Sequence, residues 1–509
     1  MQRRSGRPNI VMIMADQMTP GALPVYGHPV TRAPAMAEIA AEGVVFERAY
    51  CNSPLCAPAR YSLMAGRLPS AIGAYDNAAE FRSDIPTFAH HLRRAGYLTI
   101  LSGKMHFCGP DQLHGFEERL TTDIYPSDFG WTPNWDQPDE RPSWYHNMSS
   151  VIDAGPCIRT NQLDFDDEVV FQARRKLFDI ARGSDGRPFC LTVSMSHPHD
   201  PFAIPEPYWN LYRDEEMELP RTVLAPEAMD PHSQRVRQVC AMDEMPVTEQ
   251  QVRNARRAYL GAISYVDDQI ALIRRTLEET GLAEDTVLIV LSDHGEMLGE
   301  RGLWYKMTFF EGAARVPLIF HAPGRFRPRR VAAAVSLADI LPTLVDLAHD
   351  GAPPPYPDPI EGRSLLPHLQ GGAGHDEAVG EYLAEGAIAP IVMIRRGPHK
   401  FIHSPADPDQ LYDLDRDPDE LVNLATDPAS ADVLARFRAE VDRRWDLARL
   451  HREVLSSQRR RRLIWETAGA GGGSAWDFQP FQDASRQYMR NTIDLDDLEA
   501  SARFPPVNR

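Results

Sequence analysis

The chain has 509 residues, of which 43% are hydrophobic and 25% charged, and these are ordinary values for a globular protein. They exclude a mostly disordered, collagen-like or coiled-coil chain, and the length allows a large core with a second, smaller unit. With 54 Lys and Arg against 72 Asp and Glu, the net charge of −18 argues against nucleic acid or an anionic membrane as partner and fits a cationic ligand.

The first two-thirds of the chain alternates short apolar runs with helical patterns, which predicts an α/β fold built on a parallel sheet. The clearest helix carries apolar residues three and four positions apart between Leu260 and Leu277, and Gly281 ends it. The predicted strands cover residues 10–14, 44–48, 98–101, 190–195, 286–291 and 316–320.

The pattern changes after a proline-rich stretch at residues 352–359. Short runs at 392–395, 400–402 and 411–413, followed by a helix over about 430–455, predict a smaller α+β domain with a short antiparallel sheet. Residues 459–462 and 469–473 are typical of a surface or linker segment. We therefore predict a catalytic domain over 1–370, the smaller domain over 371–458, and a tail over 459–509 that docks either onto the body of the protein or onto a neighbouring subunit. We also expect a homo-oligomer, either a dimer or a tetramer.

The chain has no targeting signal that we can identify. No apolar run is long enough to cross a bilayer, and the stretch from Ile10 to Ala15 is too short for a secretory signal. Six cysteines in a chain of this length do not make a disulfide framework. These features predict a cytoplasmic protein without a membrane partner.

Polar residues follow the ends of four predicted strands. The carboxyl ends of parallel strands lie at one edge of a sheet, where open α/β sheets bind ligands. We therefore expect these side chains to converge: Asp16 after the first strand, Lys104 and His106 after the third, His197 and His199 after the fourth, and Asp293 and His294 after the fifth.

The string Cys56-Ala57-Pro58-Ala59-Arg60 is the most informative in the chain. Pro58 suits the first turn of a helix and places Cys56 just before a helix N-terminus, where the dipole favours anions. Alone, the string fits a buried cysteine before a capped helix equally well. Three later segments accompany it: Gly103-Lys104-Met105-His106, Pro198-His199-Asp200-Pro201, and Ser292-Asp293-His294-Gly295 with Lys306.

Together the four segments, in this order, resemble the sulfatase family, whose motif cysteine is oxidised to formylglycine by a maturation enzyme. The resemblance implies a sulfate ester hydrolase with an alkaline-phosphatase-like sandwich, in which a large mixed, mostly parallel sheet lies between helices. It also implies one divalent metal, with calcium as the expected ion and manganese or magnesium as alternatives. Its ligands would be Asp16, Cys56, Asp293 and His294.

Two positions depart from the common family pattern. Asp16-Gln17 stands where members commonly have Asp-Asp, and Asp293-His294 stands where they commonly have Asp-Asn. With the segments at residues 74–81, 196–202 and 293–306, these departures resemble a subgroup, the choline sulfatases, and imply choline-O-sulfate as substrate.

The resemblance also assigns roles around the sulfuryl group. Hydrolysis needs a strong nucleophile, cations at the sulfuryl oxygens and an acid at the leaving oxygen. The residues implied are Cys56 as a formylglycine hydrate for the attack, Arg60 and Lys104 to orient it, Lys306 and His199 at the leaving oxygen, and His106 to take a proton and release sulfate.

The choline end of the substrate needs a different kind of pocket. A trimethylammonium group has no N–H to donate, so aromatic faces and carboxylates bind it. Residues 131–146 are rich in aromatic residues, although loop packing explains any one of these tryptophans equally well. The candidates for this pocket are Asn77, Trp131, His146, Glu385 and, from the tail, Asp497.

Two alternatives remain at this point. The same superfamily contains phosphonate monoester and phosphodiester hydrolases and broader sulfatases, which share the motif around the cysteine. A protein that binds quaternary ammonium compounds without catalysis would keep an unmodified thiol at Cys56. An intact mass lower by about 18 Da, as conversion of the thiol to an aldehyde requires, would argue against the second alternative.

Overall fold

The computed structural model describes residues 6–125, 128–322 and 324–470. The chain divides into two compact units, Met1–Ile464 and Trp465–Arg509, and the site described below lies in the first. No helix in these ranges combines the length and the apolar character needed to span a membrane.

The described residues form a mixed, mostly parallel sheet of nine strands, a four-stranded antiparallel sheet and a two-stranded sheet. This confirms the predicted α/β class with a small antiparallel sheet in the C-terminal region. The strands are β1 Asn9–Ala15, β2 Val44–Tyr50, β3 Leu98–Gly103, β4 Glu118–Arg119, β5 Gly155–Cys157, β6 Phe189–Met195, β7 Ala203–Pro205, β8 Thr286–Ser292, β9 Arg315–Val316, β10 Leu318–His321, β11 Arg329–Ser336, β12 Glu377–Tyr382, β13 Ile391–Arg396, β14 His399–Ser404 and β15 Asp407–Asp413.

Helices pack around these sheets. The longest, α9, buries the apolar stripe predicted for it, begins after the capping residue Thr248, and is followed by Gly281 at a φ of 68°. The helices are α1 Pro34–Glu42, α2 Cys56–Ala65, α3 Pro69–Ile72, α4 Phe88–Arg94, α5 Ser149–Ile152, α6 Asn161–Arg182, α7 Glu206–Trp209, α8 Pro231–Val239, α9 Glu249–Glu279, α10 Glu311–Ala314, α11 Ile340–Ala348, α12 Leu366–Leu369, α13 Ala431–Arg444 and α14 Leu447–Gly469.

The large sheet has the strand order β11-β2-β10-β8-β1-β6-β3-β4, and β9 pairs with β2. Its central strands β1, β6 and β8 are buried along their whole length, as continuous apolar runs in a parallel sheet should be. The predicted strand at residues 316–320 is interrupted by Pro317, which has no N–H for the ladder, so it forms the two strands β9 and β10.

The parallel register brings the carboxyl ends of the central strands together. Ala15 at the end of β1 lies opposite Met195 of β6 and Ser292 of β8. Gly103 ends β3 at a φ of 111°, and a Cβ there would lie 2.0 Å from the Ser194 carbonyl oxygen, so only glycine allows this close approach. The predicted convergence of residues that follow these strands is therefore confirmed for the backbone.

The small antiparallel sheet packs against α13 through its own apolar cluster, which includes Phe401 and Phe437. The sequence analysis missed its first strand, β12. The helix predicted over 430–455 is two helices, α13 and α14, with a break at Trp445, whose indole Nε1 donates to the Glu381 carboxylate at 2.6 Å.

The segment at residues 459–462, predicted to be a surface or linker segment, lies within α14, where Arg459 and Arg460 are exposed and Arg461 is buried. The predicted boundaries at 370 and 458 stay predictions, and the predicted tail lies outside the described residues from position 471 onward.

Candidate active site

Four buried side chains offer donor atoms to a single point at the carboxyl edge of the large sheet. One donor atom from each of Asp16, Cys56, Asp293 and His294 lies within 4.8 Å of all the others. His294 Nδ1 lies 3.0 Å from the Gly295 carbonyl oxygen, which can only accept, so Nδ1 carries a proton and Nε2 is the nitrogen that faces Cys56. The predicted metal residues are therefore together, with donors of the types that a divalent cation takes.

Cys56 is the first residue of α2, one position further into the helix than predicted. Its Sγ lies 3.2 Å from His294 Nε2 and 3.9 Å from an Asp16 carboxylate oxygen. Burial opposes ionisation of the thiol, but Lys104, Lys306 and His294 hold its pKa well below the usual range. Residue 56 therefore lies where a negative charge is stabilised.

Two buried cations flank the carboxylates. Arg60 Nε donates to Asp293 Oδ2 at 2.8 Å, and another guanidinium nitrogen lies 3.3 Å from Asp16 Oδ2. Lys104 Nζ also donates to Asp16, and its ammonium lies 4.3 Å from the centre of the Tyr125 ring. Burial opposes ionisation of Asp16, but these cations keep its pKa below the usual range.

Lys306 and His199 form a hydrogen-bonded pair beside the cluster. Lys306 Nζ donates to His199 Nε2 at 2.8 Å and to the Gln17 side-chain oxygen at 2.6 Å. His199 Nδ1 in turn donates to the Asp200 carbonyl oxygen at 2.6 Å, which fixes the tautomer of the imidazole. A lysine ammonium has three protons, so one N–H of Lys306 remains for a ligand.

Gln17 and Glu296 belong to this site, although the sequence analysis gave neither a role. The Gln17 amide nitrogen donates to Glu296 Oε2, and the Gln17 backbone N–H donates to Asp293 Oδ1 at 3.1 Å. Burial raises the pKa of Glu296 to about 7. The departure from Asp at position 17 was visible in the sequence, but nothing there indicated that its side chain faces Lys306.

His106 lies buried at the end of β3, with a φ of 62°. Asp123 Oδ2 accepts its backbone N–H at 2.8 Å, and the imidazole lies 5.8 Å from the Trp131 ring. Neither ring nitrogen has a hydrogen bond of ordinary geometry within the described residues. The imidazole is therefore free to exchange a proton with a ligand.

An aromatic wall, which includes Trp131 and Trp144, lies beside His106. Trp131 stacks on Trp144 at 6.1 Å with an interplanar angle of 10°. The His146 ring lies 6.1 Å from that of His199 and 4.9 Å from that of Tyr305, and burial lowers the pKa of His146 to about 3. Trp135, by contrast, packs as a structural residue, since its indole Nε1 donates to the Ala384 carbonyl oxygen at 3.0 Å.

Glu385 follows β12 and is 4% exposed, and its Oε2 has no hydrogen-bond partner among the described residues. Burial raises the pKa of Glu385 to about 7, and both Lys306 and Cys56 are close enough to influence it. Asn77 is turned toward α2, where its Oδ1 accepts the Ala57 backbone N–H at 3.0 Å. The roles of these residues in ligand binding stay predictions, and Asp497 lies outside the described residues.

The chain matches three sequence profiles: Sulfatase over residues 8–350, N-sulphoglucosamine sulphohydrolase, C-terminal, over 299–446, and Choline sulfatase enzyme C terminal over 452–504. It is 48% identical over 509 residues to the choline-sulfatase of Rhizobium meliloti (strain 1021), covering 98% of this chain and 99% of that protein. It is 29% identical over 446 residues to an arylsulfatase of Clostridium perfringens (strain 13 / Type A), covering 80% and 90%.

Among solved structures, the phosphonate monoester hydrolase of Agrobacterium radiobacter is similar, with a TM-score of 0.70 and 25% sequence identity over 87% of this chain and 96% of that one. The solved neighbours agree with the alkaline-phosphatase-like fold that the motifs predicted. Because the sulfatase profile spans more than half of the sequence, and a sulfatase of 48% identity aligns over nearly all of it, the chain belongs to the sulfatase family.

Proposed function

We propose that the protein hydrolyses choline-O-sulfate to choline and sulfate. One juxtaposition carries this proposal: the buried cations around residue 56 lie close to a pair of stacked tryptophans and to a buried carboxylate. Lys104 and Lys306 suit the sulfuryl oxygens, whereas Trp131 and Glu385 suit a quaternary ammonium group. The similarity to the choline-sulfatase over nearly its full length supports the same substrate.

Residue 56 supplies the nucleophile after a formylglycine-generating maturation enzyme has oxidised Cys56. Four residues would hold one divalent cation: Asp16, residue 56, Asp293 and His294. Calcium is the expected ion because two of the donors are carboxylates. Manganese is an alternative because it accepts an imidazole ligand, and magnesium is an alternative because it prefers hard oxygen donors. When bound, such a cation makes the hydrate at residue 56 more acidic and neutralises charge on the sulfate.

The other side chains have separate roles in the reaction, which follow from their positions. Arg60 stays fixed to Asp293 and orients the nucleophile side of the pocket together with Lys104. Lys306 directs its remaining N–H to the ester, where it and His199 stabilise or protonate the leaving choline oxygen. His106, whose ring nitrogens have no hydrogen bond of ordinary geometry in the described part of the chain, takes the proton whose removal releases sulfate and restores the aldehyde.

We also propose that the protein is cytoplasmic. All six cysteines are free and five of them are buried, which fits a reducing, cytoplasmic compartment. We also propose a homo-oligomer, a dimer or a tetramer, in which the tail with Asp497 reaches the pocket of a neighbour. Deleting residues 476–509 should change the assembly or raise the KM for choline-O-sulfate, and an unchanged assembly with full activity would contradict this.

The substrate is tested with a panel on metal-replete, fully converted protein. Choline-O-sulfate should have a higher kcat/KM than an aryl sulfate whose aryl group carries no charge, because only the former places a cation against Trp131 and Glu385. Good turnover of aryl sulfates with none of choline-O-sulfate would overturn the proposal.

A second candidate function is phosphonate monoester hydrolysis, which the similar fold of the Agrobacterium radiobacter enzyme favours. Phosphonate esters carry a similar oxyanion, and the same cations would bind it. A higher kcat/KM for phosphonate esters than for any sulfate ester, together with a manganese preference, would establish this alternative instead.

A further inference from the structure

One arginine of α14 reaches a buried carboxylate next to the pocket. Arg461 is 5% exposed, and its two terminal nitrogens lie 2.6 and 2.7 Å from the two oxygens of Asp76, which is fully buried. The two neighbouring arginines behave differently: Arg459 is exposed and pairs with Asp136, and Arg460 is exposed and donates to Ser456 on the same helix. Among these three, only Arg461 points inward.

The carboxylate that Arg461 holds organises a turn. Asp76 Oδ1 accepts the Ala78 backbone N–H at 3.0 Å, and the Asp76 carbonyl oxygen accepts that of Ala79 at 3.1 Å. Between them lies Asn77, whose Oδ1 accepts the N–H of Ala57 at 3.0 Å. The guanidinium is therefore linked through one turn to the residue that directly follows position 56.

The hydrogen bond from the Ala57 N–H to Asn77 also caps the first turn of α2. The residue before this helix, Leu55, supplies no side-chain hydrogen bond to the free N–H groups of the first turn, so Asn77 does so from a distant loop. A guanidinium nitrogen of Arg461 also lies 3.4 Å from Thr132 Oγ1, next to Trp131. Arg461 thus contacts both the turn that supports residue 56 and the loop that carries the aromatic wall.

We propose that Arg461 is a positioning residue for sulfate ester hydrolysis, acting through Asp76 and Asn77 on residue 56. It does not touch the substrate. Without its guanidinium, Asp76 is an uncompensated buried charge, and the turn must shift to bring that carboxylate to water. The shift moves the Asn77 side chain off the Ala57 N–H and lets the start of α2, with its nucleophile, leave the reacting geometry. This inference rests on the proposed activity only in that it needs a sulfate ester that the enzyme turns over.

The test compares Arg461→Met with the matched control Arg460→Met, one residue away on the same helix. Arg461→Met should lower kcat by about ten- to hundredfold, since a small misplacement of a nucleophile costs that much. Arg460→Met should keep the activity of the unaltered enzyme. Intact mass on each sample shows how much of residue 56 is converted, and rates are expressed per converted site.

Rescue separates positioning from a general loss of structure. In the double variant Arg461→Met with Asp76→Asn no charge is left buried, and the asparagine oxygen still accepts the Ala78 N–H. Its kcat should recover to within about threefold of that of Asp76→Asn alone. If Arg461→Met yields no folded protein, Arg461→Lys, which keeps the charge without the two-pronged contact, should show an intermediate loss of kcat.

The proposal is overturned if Arg461→Met retains the activity of Arg460→Met, or if Asp76→Asn rescues nothing. All variants are assayed with both choline-O-sulfate and an aryl sulfate. Failure of choline-O-sulfate with the unaltered enzyme would therefore refute the proposed substrate, while the variants would still be compared on the aryl ester.

Discussion

The buried carboxylate of Glu385 should make recognition of a cationic substrate depend on pH. The pKa of Glu385 is raised from 4.5 to about 7, chiefly because the group is buried. A quaternary ammonium group is attracted to the ionised form alone, so affinity falls as pH falls through this pKa. About nine-tenths of the sites are ionised at pH 8 and about one-tenth at pH 6, so the apparent affinity for the cation should fall about tenfold between them.

The assay is the ratio of kcat/KM for choline-O-sulfate to kcat/KM for an aryl sulfate whose aryl group carries no charge, measured from pH 6 to pH 8. Ionisations close to the sulfuryl group affect both substrates, so their effects cancel in this ratio. The ratio should rise about tenfold with pH in the unaltered enzyme. In Glu385→Gln, an isosteric variant without the charge, it should be low and independent of pH.

Two results would refute this reasoning. A ratio that stays constant from pH 6 to pH 8 would mean that Glu385 does not contact the cation or does not titrate in this range. A ratio that still rises in Glu385→Gln would assign the titration to another group. Tyr145 and Tyr382 also border Glu385, but burial raises the pKa of each, so they stay neutral across this range.

Further predictions concern the aromatic wall, the nucleophile and the metal. Trp131→Ala should lower kcat/KM for choline-O-sulfate more than for an aryl sulfate, by about two- to thirtyfold, because the lost cation–π attraction of ~0.5–2 kcal/mol acts only on the cation; equal losses would identify a purely structural tryptophan. Cys56→Ala should abolish turnover of every sulfate ester while circular dichroism stays unchanged, and retained turnover would rule out residue 56 as the nucleophile. Exhaustive chelation should abolish activity and lower the unfolding temperature, because Asp16 and Asp293 lose a shared cation, and adding back calcium, manganese or magnesium identifies the ion. Full activity after chelation would contradict a metal at this site.

The sequence predicted the central sheet well because its strands are buried on both faces. Runs such as those of β1 and β8 are continuously apolar, and the residues that follow them share one edge by the geometry of parallel strands. The convergence of Asp16 with Asp293 therefore follows from local patterns and one topological rule. The missed strand β12 has the sequence Glu-Ala-Val-Gly-Glu-Tyr, and its acidic residues are held by partners from other elements: Glu377 by Arg396 and Glu381 by Ser70.

The prediction of a surface or linker segment at residues 459–462 missed the buried Arg461 for the same reason. A run of arginines is typical of a solvated surface, and three-and-four spacing cannot tell which of them turns inward when the helix has a mixed face. Arg461 turns inward because it pairs with Asp76, which is 385 positions away along the chain. A buried ion pair between residues so far apart leaves no local signal, so only the tertiary structure distinguishes Arg461 from Arg460.

The glutamine at position 17 departs from the family pattern, but the sequence does not show which residues its side chain contacts. A carboxylate there would neutralise the ammonium of Lys306, whereas the amide oxygen accepts one N–H from it without a formal charge. The amide nitrogen at the same time donates to Glu296, whose raised pKa leaves that carboxyl partly neutral. Lys306 therefore keeps its positive charge: burial opposes it, but residue 56, Asp200 and Asp16 hold the pKa of this lysine above its usual range. In the reaction that we propose, a sulfuryl oxygen would approach the remaining N–H of Lys306, and the leaving choline oxygen would gain the most from this cation as negative charge develops there.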